Sequence, residues 1–305
     1  MSAARVIEVM RAGVGDLVMD SGRYGVAHLG VPVGGAADVG ALQVANRLVG
    51  NVATAAGLEI TLKGPVLAFP QGGTIALTGA PFVATRSSGD AITWNTPLRM
   101  APEEQLILGA ALSGCRCWLA VQGGIDVAKI MASRSTLAPA GFGGMAGRAL
   151  HTGDALAIGE RQRKPPRSIR YQPAVDDDAA PLRVISGPQA SCFTDTGLAA
   201  FFTTGYRVDA ASDRRGLRLV GLPVTVAAHG NIVSQAVLPG AIQIPPDGQP
   251  IILGWDGPVT GGYPVIAGLI SADLPRMAQL KPGDTVRFET VSVDTACTLA
   301  LARRK

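Results

Sequence analysis

The stretch Gln235-Ala-Val-Leu-Pro-Gly-Ala-Ile-Gln-Ile-Pro-Pro-Asp-Gly-Gln-Pro-Ile-Ile-Leu-Gly254 constrains the fold more than any other part of the chain. Short apolar runs at 241–244, 250–253 and 263–266 are broken by Pro-Pro-Asp-Gly and Thr-Gly-Gly. Pro fixes φ, Asp bonds within its own turn and Gly supplies a positive φ, so each breaker is a tight connection. Strands form the scaffold in such a segment, and the polar residues stand at loop tips. The 39 Gly and 21 Pro in 305 residues extend this reading to the whole chain, because both residues weaken helix interiors. A mainly β fold with a few short helices is expected.

Two halves are visible. Residues 160–181 combine Arg-Lys-Pro-Pro-Arg, Tyr-Gln-Pro and Asp-Asp-Asp with little apolar content, as a domain joint does. The expected domains are therefore 1–165 and 166–305. Both halves close alike: Leu150-His-Thr-Gly-Asp-Ala-Leu-Ala-Ile158 parallels Leu280-Lys-Pro-Gly-Asp-Thr-Val-Arg-Phe288. A Gly-rich loop with an aromatic precedes each, Gly141-Phe-Gly-Gly144 and Gly261-Gly-Tyr-Pro264. The pattern predicts a tandem duplication of a barrel-like module. Each half also carries an early helix. Asp38 is a fitting N-cap for residues 38–49, ended by Gly50-Asn51, and a second helix is expected over 189–202. Residues 115–121, apolar except for Arg116, read as a central strand.

The net charge of +4 is modest, and its basic clusters fall at 161–167, Arg214-Arg215 and the tail Arg303-Arg-Lys305. Without interleaved aromatics to stack bases, nucleic-acid binding is not expected. Cys115, Cys117, Cys192 and Cys297 form no CxxC or Cys/His cluster, so reduced thiols are expected and no metal site. The N-terminus lacks the apolar core of a signal peptide, and no run approaches a membrane span. A cytoplasmic protein, with no membrane contact, is the natural expectation.

The motifs of P-loop nucleotide sites, G-x-S-x-G nucleophiles and Met-Lys-Met biotin attachment are all missing. The candidates that remain are polar residues on Gly/Pro loops. Asp20-Ser-Gly-Arg-Tyr-Gly25, with His28 close behind, is either a substrate-contacting loop or an exposed turn. On the first reading Arg23 clamps an anion and His28 is an acid or base. Glu59, between Leu58 and Ile60, is either a barrel-interior carboxylate or a solvent-facing one. Arg214 and its rival Arg218 could hold a carboxylate or phosphate. Asp247, Gln249 and Tyr263 occupy loop tips, where Asp247 is also a natural turn-former.

Several segments, taken in order, resemble one family. They include His28-Leu-Gly-Val-Pro32, Ala45-Asn-Arg-Leu-Val-Gly-Asn51, Leu119-Ala-Val-Gln-Gly-Gly-Ile-Asp126, Ser133-Arg-Ser-Thr136, Gly141-Phe-Gly-Gly144, Ile242-Gln-Ile-Pro-Pro-Asp-Gly-Gln-Pro250 and Thr260-Gly-Gly-Tyr-Pro-Val-Ile266. The chain resembles the allophanate hydrolase subunit 2 family, also called the biotin-dependent carboxyltransferase-like or KipA family, over about residues 5–290. The resemblance implies two cyclophilin-like β-barrels in tandem. It implies a partner from the subunit-B family (allophanate hydrolase subunit 1, or KipI) and, in 5-oxoprolinases, a third subunit. It also implies an ATP-dependent opening of 5-oxoproline to glutamate, with Mg and no biotin on this chain. Cationic groups must then hold carboxylate and phosphoryl oxygens, which suits Arg23, Arg214 and Arg218.

The chain departs from the family where Met19 replaces a Gln. It departs again where Trp255-Asp-Gly-Pro-Val-Thr260 replaces a more polar lead into Gly-Gly-Tyr-Pro. Three functions are ranked on this basis: the C subunit of an ATP-dependent 5-oxoprolinase; a carboxyltransferase or amide-handling subunit of a urea/allophanate-type system; and a KipA-like protein that sequesters its KipI-like partner.

Overall fold

The structure is a computed structural model and describes residues 5–161, 180–227 and 232–303. Most of the expected linker, with its basic and acidic runs, lies outside the described residues, as does His229. The chain forms two compact units, one built from Met1–Tyr24 and Gly34–Asp176, the other from Gly25–Val33 and Asp177–Lys305.

The first unit contains ten strands: β1 (Val6–Arg11), β2 (Leu17–Met19), β3 (Gly57–Thr61), β4 (Val66–Phe69), β5 (Gly73–Gly79), β6 (Phe82–Arg86), β7 (Leu98–Met100), β8 (Glu104–Ala111), β9 (Arg116–Val121) and β10 (Ala155–Ala157). They make two five-stranded antiparallel sheets, in the orders β10-β1-β4-β8-β6 and β2-β3-β9-β5-β7. One core joins them: Ile7, Val9, Leu67, Phe69, Leu106 and Leu108 of the first sheet meet Val18, Leu58, Ile60, Ile75, Leu119 and Val121 of the second. Helix α1 (Val39–Leu48) covers the other face of the second sheet, where Ala45, Leu48 and Val49 pack on Ala76 and Ala120. Cover on both faces explains why every residue of β9 is buried, as its apolar run requires. Asp38 caps α1 by accepting from Ala41 N at 2.9 Å, as its sequence position predicts.

The second unit contains β11 (Leu182–Ser186), β12 (Tyr206–Val208), β13 (Gly216–Val220), β14 (Gln235–Ala236), β15 (Ala241–Gln243), β16 (Ile251–Leu253), β17 (Thr260–Gly261), β18 (Val265–Leu269), β19 (Thr285–Val286) and β20 (Phe288–Thr290). Eight of these form one sheet, β19-β12-β13-β16-β15-β18-β11-β20, beside a ribbon of β14 and β17. The two edge strands of this sheet are consecutive in sequence, with only Arg287 between them. The sheet therefore curls until its ends nearly meet, forming a nearly closed barrel. Helix α2 (Asp195–Thr203) packs on the β20 edge, where Phe201 stacks on Phe288 with ring centres 4.5 Å apart. Two further helices are α3 (Leu274–Met277) and α4 (Val293–Ala302).

These sheets overturn the expectation of two tandem cyclophilin-like barrels. The fold is mainly β with a few helices and a single nearly closed barrel. In the first unit the strands divide into two open sheets, each with its own pair of edges. The matching sequence endings reflect a shared Gly-Asp turn rather than a shared closure. The first, β10, is an edge of an open sheet, whereas the second supplies both ends of the barrel sheet. Among the described residues no helix is long and apolar enough to cross a membrane.

Candidate functional site

Two loops of the first unit are drawn together by one buried carboxylate. Asp20 follows β2 and accepts hydrogen bonds from Ser133 Oγ, Ser135 Oγ and Arg134 N, each at 2.6 Å, and from Gly22 N at 2.9 Å. Four donors satisfy both of its oxygens, so it acts as a clasp between residues 20–23 and 133–136. Arg23, only 1% exposed, donates to the Ser135 carbonyl and lies 4.9 Å over the Phe142 ring. Gly143 must be glycine here: with φ at +75°, a Cβ would stand 2.1 Å from Ser135 O and 2.6 Å from Arg23 Nη2.

The clasp forms one wall of a cleft of about 680 Å³. Its other walls come from the segment after α1 (Asn51, Val52 and 54–56), from 123–126 and from 159–161. Asn51 fixes their spacing: Nδ2 donates to Val121 O at 2.8 Å and Oδ1 accepts from Gly123 N at 2.8 Å. Across the cleft, Arg134 donates to Asp126 Oδ1 at 2.6 Å and to Val127 O at 2.9 Å, which aims its guanidinium. Lys129 also lines the cleft, is exposed and makes no hydrogen bond or ion pair among the described residues. The backbone beside it is strained. Met131 and Ala132 hold φ of 52° and 63° between the bridged pair Ile130 and Ser133, a primed turn without glycine. The cleft thus offers an ammonium, an oriented guanidinium and carboxylates to a small polar ligand.

The residues singled out by sequence do not converge on it. Asp20 lines the cleft, and Arg23 lies buried behind it. Glu59 is fully buried on β3, where it accepts from Ala37 N at 2.7 Å and Trp118 Nε1 at 3.3 Å and stands 3.5 Å from Arg116 Nε. His28 is exposed on a 3-10 turn, Ala27–Leu29, that belongs to the second unit. In that unit Arg214 makes a two-pronged ion pair with Asp256, at 2.8 and 3.1 Å. Arg218 is exposed on β13. Asp247 accepts from Gln249 N at 3.0 Å, as a turn-former does, and Gln249 bridges Gly221 N and O at 2.9 and 3.2 Å. Tyr263 is exposed, and its carbonyl accepts from Gln243 at 3.3 Å.

Sequence reasoning passes over Asn51, Asp126, Lys129 and Arg134. Asn51 is visible there as a helix terminator and at the end of a longer motif, and Asp126 and Arg134 only inside longer motifs. Lys129 carries no local signal. Among the described residues no group of three His, Cys, Asp or Glu side chains could hold a metal ion.

The model of the carboxyltransferase domain, subdomain A and B, matches residues 29–290. The chain is 37% identical to the 5-oxoprolinase C subunit of Escherichia coli (strain K12), over 95% of this chain and 93% of that protein. It is 33% identical to the urea amidolyase of Lachancea kluyveri, over 95% of this chain but 17% of that much longer protein. The crystal structure of the K. lactis urea amidolyase superposes on the whole chain with a TM-score of 0.89 at 31% identity, covering 20% of that chain. The chain belongs to this carboxyltransferase-domain family, shared with 5-oxoprolinase C subunits and urea amidolyases.

Proposed function

We propose that this chain is the amide-handling, carboxyltransferase-fold subunit of a heteromeric enzyme of the urea/allophanate type, working with a separate subunit of the subunit-B (KipI-like) family. The observation that carries the reading is the polar cleft around Lys129 and Arg134. A compact amide presents a carbonyl oxygen and N–H groups, and the cleft answers with cations and carboxylates on one rigid frame. Lys129 and Arg134 are placed to stabilise negative charge that develops on the carbonyl oxygen, Arg134 being already aimed by Asp126. Asp126 and the neighbouring backbone carbonyls accept from the amide nitrogens. Identity supports the 5-oxoproline version of this chemistry: 37% to a 5-oxoprolinase C subunit against 33% to a urea amidolyase.

ATP and Mg belong to the proposal for the assembled enzyme. Lys129 and, at the rim, Arg161 line the cleft and make no ion pair among the described residues. No step of the chemistry is assigned to nucleotide on this chain.

The test is to co-purify the chain with its subunit-B homologue and the third 5-oxoprolinase-type subunit. ATP turnover is then measured with 5-oxoproline, urea and allophanate in turn. Substrate-stimulated turnover is expected, with kcat/KM lowered at least about tenfold by Lys129→Ala, or about 1.4 kcal/mol, and the unfolding midpoint unchanged. A stable complex that turns over none of the three would sink the reading in favour of sequestration. Turnover indifferent to Lys129→Ala would move the site elsewhere.

A further inference from the structure

Helix α4 is a ten-residue helix in which no residue is buried. Ser292 caps it properly, accepting from Thr295 N at 3.1 Å. Isolated helices shorter than about 12 residues are nevertheless marginal in water, so a helix of this kind needs packing against something. Its half-buried residues, Ala296, Leu299 and Ala300, recur on one face. Val293, Cys297 and Leu301 form a separate stripe at i, i+4 and i+8, and all three are exposed, Val293 by 62% and Leu301 by 60%. The match to the family model ends at residue 290, before α4 begins.

We propose that α4 is a self-association element that pairs antiparallel with α4 of a second copy of this chain, across a two-fold axis passing near Cys297. The charges point to this occupant. The only acidic residue of the helix, Asp294, sits in its first turn, and Arg303 follows its last turn, with Arg304 and Lys305 next in sequence. A parallel pair would set like charges together. An antiparallel pair sets Asp294 of one copy against the basic end of the other and opposes the two helix dipoles. Centred on Cys297, the pairing also places Val293 opposite the second copy's Leu301 at both ends, as a self-complementary two-fold contact requires. A membrane surface fits less well, because the basic residues gather at one end rather than along a polar face, and the stripe holds no aromatic. A stripe about 12 Å long is smaller than a stable interface needs, so the dimer is weak and concentration-dependent.

The test is sedimentation velocity of the full chain over a range of concentrations and, separately, treatment with a short bismaleimide cross-linker. A covalent dimer is expected that disappears in Cys297→Ser and persists in Cys192→Ser. Leu301→Asp should weaken association at least about tenfold. Asp294→Lys should also weaken it, and Asp294→Lys combined with Arg303→Glu should restore it. Cys297, Leu301, Asp294 and Arg303 are all exposed, so an unchanged unfolding midpoint will separate lost pairing from lost folding. A chain that stays monomeric and forms no cross-link overturns the proposal, as does association indifferent to Leu301→Asp. Amide protection of α4 that appears only on adding the subunit-B homologue also overturns it, assigning the stripe to that partner.

Discussion

Asp16 stands in the turn before β2, 1% exposed, with its Oδ2 accepting from Gly13 N at 2.6 Å and its Oδ1 buried without a hydrogen-bond partner. The turn closes tightly on it: a Cβ on Gly13 would lie 2.4 Å from Lys63 O and within 2.8 Å of both carboxylate oxygens. Burial raises the Asp16 carboxyl from 3.8 to about 6, against the opposing pull of the Gly13 bond. The folded state therefore holds this proton more tightly than the unfolded chain. The stability it confers is complete below about pH 4 and is lost as pH rises through about 6. Asp16→Asn should accordingly leave stability nearly unchanged at pH 4 and raise it at pH 8, by at most about 3 kcal/mol. Urea denaturation at the two pH values measures this. An equal effect at both would show that packing, not ionisation, dominates the site. Asp20, four residues on, differs in its partners, being met by four donors. The sequence marks Asp20 through its turn but has no means of showing Ser133 and Ser135 more than a hundred residues away.

Legibility at the scale of elements follows how local the determinants are. Helix α1 is readable because its cap, its apolar spacing and its stop are all written within fourteen residues, 38–51. The second helix, expected over 189–202, begins instead at Asp195. Thr194 caps it there by accepting from Gly197 N at 3.0 Å, and only a 3-10 turn at Ala190–Cys192 precedes it. The Arg214 motif shows the limit from the other side. Its Arg does hold a carboxylate, but the carboxylate is the chain's own Asp256, in the segment that departs from the family pattern. Asp256 is 5% exposed and the pair is two-pronged, tying the turn before β13 to the turn after β16. Removing the Asp256 carboxylate takes both prongs from a guanidinium that is mostly buried, so Asp256→Ala should cost about 3–5 kcal/mol by chemical denaturation. A cost below about 1 kcal/mol would show that solvent reaches Arg214 and replaces the carboxylate.

At the scale of the whole molecule, the duplicated ending suggests two like barrels, and the sheets show why it cannot decide the matter. A Gly-Asp turn feeding a short strand is a local instruction, whereas closure depends on which strands the two edges find across the chain. In the second unit the edges are held by aromatic packing: Phe288 of β20 is 4% exposed, stacks on Phe201 and lies 6.3 Å from the Tyr206 ring of β12, the strand beside the opposite edge β19. One side chain thus joins α2, β20 and the far side of the barrel sheet. Phe288→Ala should remove about 3–5 kcal/mol, because the cavity left among rigid rings collapses poorly. The two units have separate cores, the first centred on residues such as Leu58 and Leu106 and the second on Ile242 and Ile252. The loss should therefore fall on one of them. Scanning calorimetry of the full chain should resolve two transitions, with only one lowered by Phe288→Ala and the other kept within a degree or so. If both move together, or a single transition persists, the units unfold as one cooperative body and their separate cores do not make them separate folding units.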